Sequence, residues 1–327
     1  MKVLVTGANS LLGVNVITVL LAKGYNVRGM VRRPDTIPLR DENIEEFVGV
    51  LTNPSDVREA VSGCDIVIHI AANTAQNSIR YKDYAVVNVA ATKYVLKAAH
   101  EWRVRKTIIV SSANAFGYGT IDLPGTEATP IAYPFTKSCY AKSKKEAQDL
   151  ALQYPGKDMG EIVVVNPTFM IGKYDGKPSS GKIITMNYKR KFIFIPPGGK
   201  NFIHVEDVAC AICNAIVLGK DRQCYLLANE NLTYRDFYAK LNEVTGVKRH
   251  IITLPEWLLR IAGMAGSCFI RMGIHNAIHY NNMRILCVKN YYGRQKALQE
   301  LNMPVTPVSV AVRDAVDWFL EKGMLQA

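Results

Sequence analysis

Short apolar runs alternate along the chain with longer stretches in which apolar residues return every three or four positions. The runs 2–5, 27–31, 46–50, 65–70, 106–110 and 162–165 are rich in Val and Ile, and the most apolar of them lack the in–out alternation of a half-exposed strand. Between them, 12–23, 56–61, 84–101 and 140–153 carry a helical period. Strands buried on both faces and separated by helices predict an α/β protein with a doubly wound parallel sheet and right-handed crossovers. After Pro167 the texture changes. Residues 172–200 are loop-rich and basic, 201–208 lead into a helix over 208–218, and 225–228 reads as a strand. Helices are expected at 233–245, 256–265 and 309–321. The division that follows is a core over 1–172, a segment of a smaller, discontinuous lobe over 173–200, a return to the core over 201–227, and 228–327 mainly in the lobe, with packing of the last helix on the core left open.

The stretch Thr6-Gly-Ala-Asn-Ser-Leu-Leu-Gly13 joins the first strand to the first helix. That is the setting of a dinucleotide-binding turn in a Rossmann-like fold. Gly7 permits the tight turn, Gly13 lets the helix sit close to the sheet, and the helix N-terminus attracts pyrophosphate. Ser10 stands where the middle glycine is usual; its Cβ makes the approach less intimate and its hydroxyl offers a donor. Past the second strand come Arg32 and Arg33, with no acidic residue to hold a ribose. Two guanidiniums there suit a 2′-phosphate, so NADP(H) is expected over NAD(H).

Two serines, Ser111 and Ser112, end the fifth apolar run, and farther on Tyr140 and Lys144 stand four apart on one helical face. A phenol has a pKa near ~10 and is a poor proton donor alone. A neighbouring ammonium is expected to lower it and make Tyr140 a general acid toward an oxygen held by Ser112, with Lys144 also reaching the nicotinamide ribose. Tyr133 and Lys137 repeat the spacing, but Pro134 places Tyr133 ahead of the helix. Near the strand ends and the lobe, Asn73, Asn114, Phe116, Met170 and Tyr188 are weaker candidates for a mostly apolar substrate pocket.

Composition narrows the field. The net charge of +12 suits anionic ligands, and no zinc-finger spacing or other signature points to nucleic acid. Seven cysteines, an odd number, and the absence of a targeting segment favour a reducing cytoplasm; Cys210 and Cys213 read as buried thiols. The most membrane-like stretch, 258–274, is broken by Arg260 and Arg271, so no integral span is expected, while a peripheral contact stays open. No metal set is expected: the six histidines are scattered, His275 and His279 lack a companion carboxylate, and His204 reads as a structural or capping residue.

Taken together, these motifs resemble the extended short-chain dehydrogenase/reductase superfamily over nearly the whole chain. Thr6 to Gly13 is similar to its glycine turn, Gly63-Cys-Asp-Ile-Val-Ile-His-Ile-Ala-Ala72 to its fourth-strand signature, Tyr140-Ala-Lys-Ser-Lys144 to its catalytic helix, and Val165-Asn-Pro-Thr168 and Phe202 to Ala209 to later signatures, with Asn88 as its structural asparagine. The chain looks most like the dihydroflavonol 4-reductase and 3β-hydroxysteroid dehydrogenase branch. The resemblance implies catalysis by Ser112, Tyr140 and Lys144, and cofactor contacts from Gly7, Asn9, Ser10, Leu11, Leu12, Gly13, Arg32, Arg33, Leu51, Ala71, Ala72, Lys144, Pro167 and Thr168. Val50 departs from it, standing where an aspartate for the adenine amine is common. The expected activity is NADP(H)-dependent reduction of a ketone or aldehyde, or oxidation of the alcohol, on a small molecule. The alternatives are a nucleotide-sugar epimerase or dehydratase, against which no carboxylate follows Ser112, and a dinucleotide-binding sensor without turnover. The resemblance leaves the oligomeric state open between a homodimer paired through the helices 84–101 and 137–153, as in many relatives, and a monomer.

Overall fold

The computed structural model describes residues 1–75, 78–156, 160–272 and 278–325. Seven strands build the main sheet: β1 (Lys2–Thr6), β2 (Asn26–Val31), β3 (Ile44–Val48), β4 (Ile66–His69), β5 (Lys106–Val110), β6 (Glu161–Pro167) and β10 (Cys224–Leu227). Their order is β10-β6-β5-β4-β1-β2-β3, and each neighbouring pair is parallel. Alternate residues of one strand enter different cores, as the two faces of a pleated sheet require. Val3, Val5, Ile66, Ile68, Ile108 and Val110 pack with α1 (Leu11–Ala22) and α7 (Val205–Leu218). Leu4 and Val67 pack with α2 (Pro54–Val61) and α4 (Ala91–Glu101), and Ile109 and Val164 with α4 and α5 (Cys139–Leu152). Burial on both faces is why these strands read as continuous apolar runs.

The expected helix over 84–101 is a composite. It opens as α3 (Lys82–Ala85), passes through a π-helical turn at Val86–Ala90, and continues as α4. Ahead of α5 a 3-10 turn occupies Phe135–Lys137 behind a cis Tyr133–Pro134 bond, so Tyr133 lies outside the helix, as the proline implies.

The remaining elements form a second lobe. One small sheet joins β7 (Phe169–Ile171), β9 (Gly199–His204), β11 (Glu230–Thr233) and β13 (Lys289–Asn290), and β8 (Phe192–Ile195) pairs with β12 (His250–Thr253). With them come the short α6 (Lys182–Thr185), α8 (Tyr234–Thr245), α9 (Glu256–Arg271), α10 (Tyr280–Cys287) and α12 (Val308–Glu321), while α11 (Gln295–Leu301) packs back on α7. The lobe has its own core, in which Phe202 stacks on Phe237 at 4.5 Å and Phe319 of α12 is fully buried. The helix α12 thus packs within the lobe, against α8, β9 and β7. It is tied to α7 of the main core at two points among the described residues: His204, the N-cap of α7, meets Asp314, and the Thr306 amide and hydroxyl donate to Asp207.

Candidate active site

The turn after β1 is shaped by its two glycines. Gly7 has φ +70°, and a Cβ there would come within 3.0 Å of the Ala71 backbone. A Cβ on Gly13 would collide with the Gly7 carbonyl. Between them Ser10 caps α1: its Oγ accepts from the Gly13 amide at 3.1 Å, and its own amide donates to Gly7 O at 3.0 Å. The serine hydroxyl therefore keeps its proton for a further acceptor. Leu11 and Leu12 supply the first amides of the helix, which nothing within it can accept. No acidic side chain stands in this first turn. A positive helix end, two backbone amides and a free hydroxyl proton at the carboxyl edge of a parallel sheet fit the pyrophosphate of a dinucleotide.

The edge between β1 and β4 is laced shut. The Thr6 hydroxyl oxygen accepts from the amides of Ile70 and Ala71 at 3.2 and 3.3 Å and meets His69 Nδ1 at 2.8 Å. With its oxygen already accepting, Thr6 donates its proton, which fixes Nδ1 of His69 as the acceptor. Burial lowers the His69 pKa to about 3, with help from the nearby Lys144 charge, so the imidazole is neutral.

At the end of β5, Ser112 caps a 3-10 turn over Ala113–Ala115, its Oγ accepting from the Asn114 amide at 3.2 Å. The Tyr140 side chain, in the first turn of α5, lies near that of Ser112, close enough for the serine to oppose the rise in its pKa. One turn on, the buried Lys144 Nζ donates to Val110 O at 2.8 Å. One network seats the first turn of α5, which carries Tyr140 and leads to Lys144. Asn88, in the π-helical turn, donates to Ser143 Oγ at 2.9 Å and Asn73 O at 3.1 Å and accepts from the Asn73 amide at 2.7 Å; Ser143 then donates to Tyr140 O. A π turn adds one residue per loop and so aims Asn88 inward between β4 and α5.

The electrostatics differ from the sequence expectation. Burial pushes the Tyr140 phenol above its ordinary pKa, and the neighbouring Ser112 side chain opposes this. Burial also lowers Lys144 to about 8. The ammonium spends one donor on Val110, leaving two of its three free to turn toward a ligand. Beside Tyr140 opens a cavity of about 100 Å³ lined by Ile79, Tyr84, Cys139, His279 and Asn281 among others. Asn281 was invisible as a site residue in the sequence, because α10 reaches Tyr140 only through the fold; His279 stood out there only as half of a spaced pair, and His275 lies outside the described residues.

Several candidates are engaged elsewhere. Asn73 donates to Asp83 O and accepts from the Ala75 amide, so its side chain is committed to its own loop. Phe116 packs with Leu226, Ala228 and Tyr292, and Met170 sits against the main core. Tyr188 lies in the lobe, its ring under Arg249 and its carbonyl accepting from it at 2.6 Å. Asn114 alone of the five adjoins Ser112 directly. Among the cofactor candidates, Thr168 donates to Asn201 at 2.7 Å, Pro167 ends β6, Leu51 packs beside Leu4 and Met30, Asn9 is exposed, and Ala71 and Ala72 follow β4. The Val50 side chain is 45% exposed and its amide donates to Asp56.

His204 caps α7 as read from the sequence. Nδ1 accepts from the Glu206 amide, which leaves Nε2 to donate to Asp314 at 2.9 Å. Glu206 also draws near, bringing three ligand-type atoms within 4.8 Å of one another, a convergence across the fold that the scattered histidines did not foretell. Glu206 is paired with Lys173 at 2.5 Å.

Residues 3–227 match the sequence profile of the NAD dependent epimerase/dehydratase family. The "Putative dihydroflavonol 4-reductase" of Synechocystis sp. is 31% identical, the match covering 98% of this chain and 95% of that protein. The Sterol demethylase protein B of Methylococcus capsulatus is 27% identical over 99% of this chain and 100% of that protein. The crystal structure of gox2253 superimposes with a TM-score of 0.84 at 28% identity, covering 99% of both chains. These similarities establish the superfamily and leave its branches unseparated. They also correct the cofactor: solved neighbours described with a dinucleotide hold NAD, among them a Thermus thermophilus UDP-glucose 4-epimerase (TM-score 0.76, 18% identity, 98% of this chain and 99% of that one) and MoeE5 with UDP-glucose. The preference for NADP(H) drawn from Arg32 and Arg33 does not stand. Both arginines lie exposed past β2, the solvated basic turn that such a pair also describes.

Proposed function

Because the chain belongs to the NAD dependent epimerase/dehydratase family, we propose that it exchanges hydride between NAD(H) and a carbon bearing a hydroxyl or carbonyl oxygen, with Tyr140 handling the proton. The observation that carries this reading is the Tyr140 phenol set beside Ser112, one helical turn from the buried Lys144 ammonium. When bound at the β1–α1 turn, the dinucleotide supplies or takes the hydride. The chain's own groups do the rest. Ser112, fixed by the Asn114 amide, orients the substrate oxygen. Tyr140, its pKa raised by burial, stays protonated at neutral pH and gives its proton to the oxygen as negative charge develops there. Lys144 turns its two spare donors toward the ribose and the phenol oxygen, and its charge then favours the phenolate left behind.

Of two substrate classes, the nucleotide sugar has the more support. Lys200 is half-buried over the Phe169 ring, burial lowers its pKa to about 8, and no carboxylate pairs with it among the described residues. Phe169 follows Thr168 just past the end of β6, so the Lys200 ammonium stands where an anionic substrate would find it. The solved neighbours that hold UDP-sugars agree with this choice. Simple carbonyl reduction keeps the support of the relative named as a putative dihydroflavonol 4-reductase and of the missing carboxylate beside Ser112.

The test is NADH binding by nicotinamide fluorescence, followed by turnover on a panel of UDP-sugars and of apolar ketones. Tyr140→Phe is expected to keep NADH binding and lose kcat by about 10²–10⁴-fold. Turnover by Tyr140→Phe at the wild-type rate would overturn the assignment. Which panel responds decides the substrate class.

A further inference from the structure

The side of α9 turned away from α10 carries no charge. Gly263 and Ser267 face α10: a Cβ on Gly263 would come within 2.8 Å of Tyr280 Cα, and Ser267 Oγ accepts from the Tyr280 amide at 3.0 Å. On the opposite side Trp257, Leu258, Ile261, Met264, Cys268 and Phe269, with two alanines, fill one unbroken arc of about 160° at 100° per residue. All of these are exposed, Trp257 by 63% and Phe269 by 49%. A helix on a globular surface normally turns its polar residues outward. This one does the reverse, and so large an exposed apolar face marks a contact.

Charge says what it contacts. Residues 176–204 and 247–294, which contain β8, β12 and α9, hold thirteen Lys and Arg and a single acid, Glu256. Their net charge is +12, equal to that of the whole chain, so the rest of the protein is balanced. Glu256 is itself flanked by Arg260 and Arg284. Chain continuity extends the pattern: exposed Lys189, Arg190 and Lys191 precede β8, whose Phe192 and Phe194 are exposed, and β12, its partner, leads through Leu254 and Pro255 into α9.

We propose that the α9 face seats this protein on an anionic lipid surface. The apolar arc lies at the acyl boundary, the basic flanks meet the headgroups, and Trp257 sits at the interface as such rings do. The helix lies in the surface and does not cross it. Its 16 residues fall short of the roughly 20 a span needs, and among the described residues no helix is long and apolar enough to cross a membrane. A nucleic acid would use the charge but leave the arc in water. A second copy would bury the arc but bring two strongly basic lobes together.

The experiment is vesicle flotation of the full chain with phosphatidylcholine alone and with phosphatidylcholine containing phosphatidylglycerol. Tryptophan quenching by brominated lipid is read in parallel. The expected result is binding at least about tenfold tighter to the anionic vesicles and weakened by salt, with quenching that Trp257→Phe removes. Ile261→Asp/Phe269→Asp is expected to weaken binding by about tenfold or more with an unchanged Tm. If that pair of changes unfolds the chain, the Trp257 quench in the wild type still decides. Failure to bind anionic vesicles, binding without Trp257 quenching, undiminished binding by a folded double variant, or dimerisation that the same variant abolishes in the absence of lipid would overturn the proposal.

Discussion

His69 is a neutral histidine in a place where protonation has nowhere to go. Its pKa is lowered to about 3 by burial, against about 6.5 in an unfolded chain. Between those values the unfolded state binds a proton that the folded state refuses, so stability falls as pH drops through this window, by up to about 1.4 kcal/mol per pH unit. Equilibrium unfolding at stepped pH should show that slope, and His69→Asn, which keeps an acceptor for the Thr6 hydroxyl, should flatten it. Lys144 has the same sign in a higher window. Its folded pKa is lowered to about 8, so the unfolded state holds more protons from there up to about 10.5, and stability rises with pH across that range. At pH 7 the full cost of the buried ammonium is present. Lys144→Met is expected to stabilise the fold by about 1–3 kcal/mol in urea titration while abolishing turnover. The spacing of Tyr140 and Lys144 was legible in the sequence, and so was the partner serine. The sign of the phenol's shift was not, because it depends on where Nζ points, and Nζ points to Val110 O.

At the scale of elements, periodicity located the strands of the main sheet to within a few residues, since burial on both faces writes itself into composition. It also placed α1, α5 and α12. The composite helix was illegible: apolar spacing over 84–101 does not register the extra residue of a π turn, yet that turn aims Asn88 at the loop after β4 and at α5 together. The cavity wall from α10 was equally hidden, being close to Tyr140 only in three dimensions. The glycine turn tests how tightly α1 is set. Gly13→Ala has to move the helix off the Gly7 carbonyl, and the expected result is a loss of about 2–3 kcal/mol together with weakened NADH binding, read by thermal melts with and without the dinucleotide. Ser10→Gly leaves the helix seated but removes its cap, and should cost only a few tenths of a kcal/mol.

Over the whole molecule two cores share one chain. Sequence texture announced the second at Pro167, where buried strands give way to basic loops. It did not reveal that α12 fills the lobe's core, because an amphipathic helix does not say which surface it will meet. Phe319 is the keystone there, fully buried and close enough to Gly181 that a Cβ on that glycine would press on its ring. Phe319→Ala should cost about 3–5 kcal/mol by urea unfolding. The tie between His204 and Asp314 has a consequence for biosynthesis. Its partners are 110 residues apart, so on a translating ribosome β7 and β9 emerge long before the helix that covers them. During that interval Phe202 and its neighbours must wait beside the sheet that is already complete through β6, and the lobe is the part of the nascent chain that a chaperone would meet open.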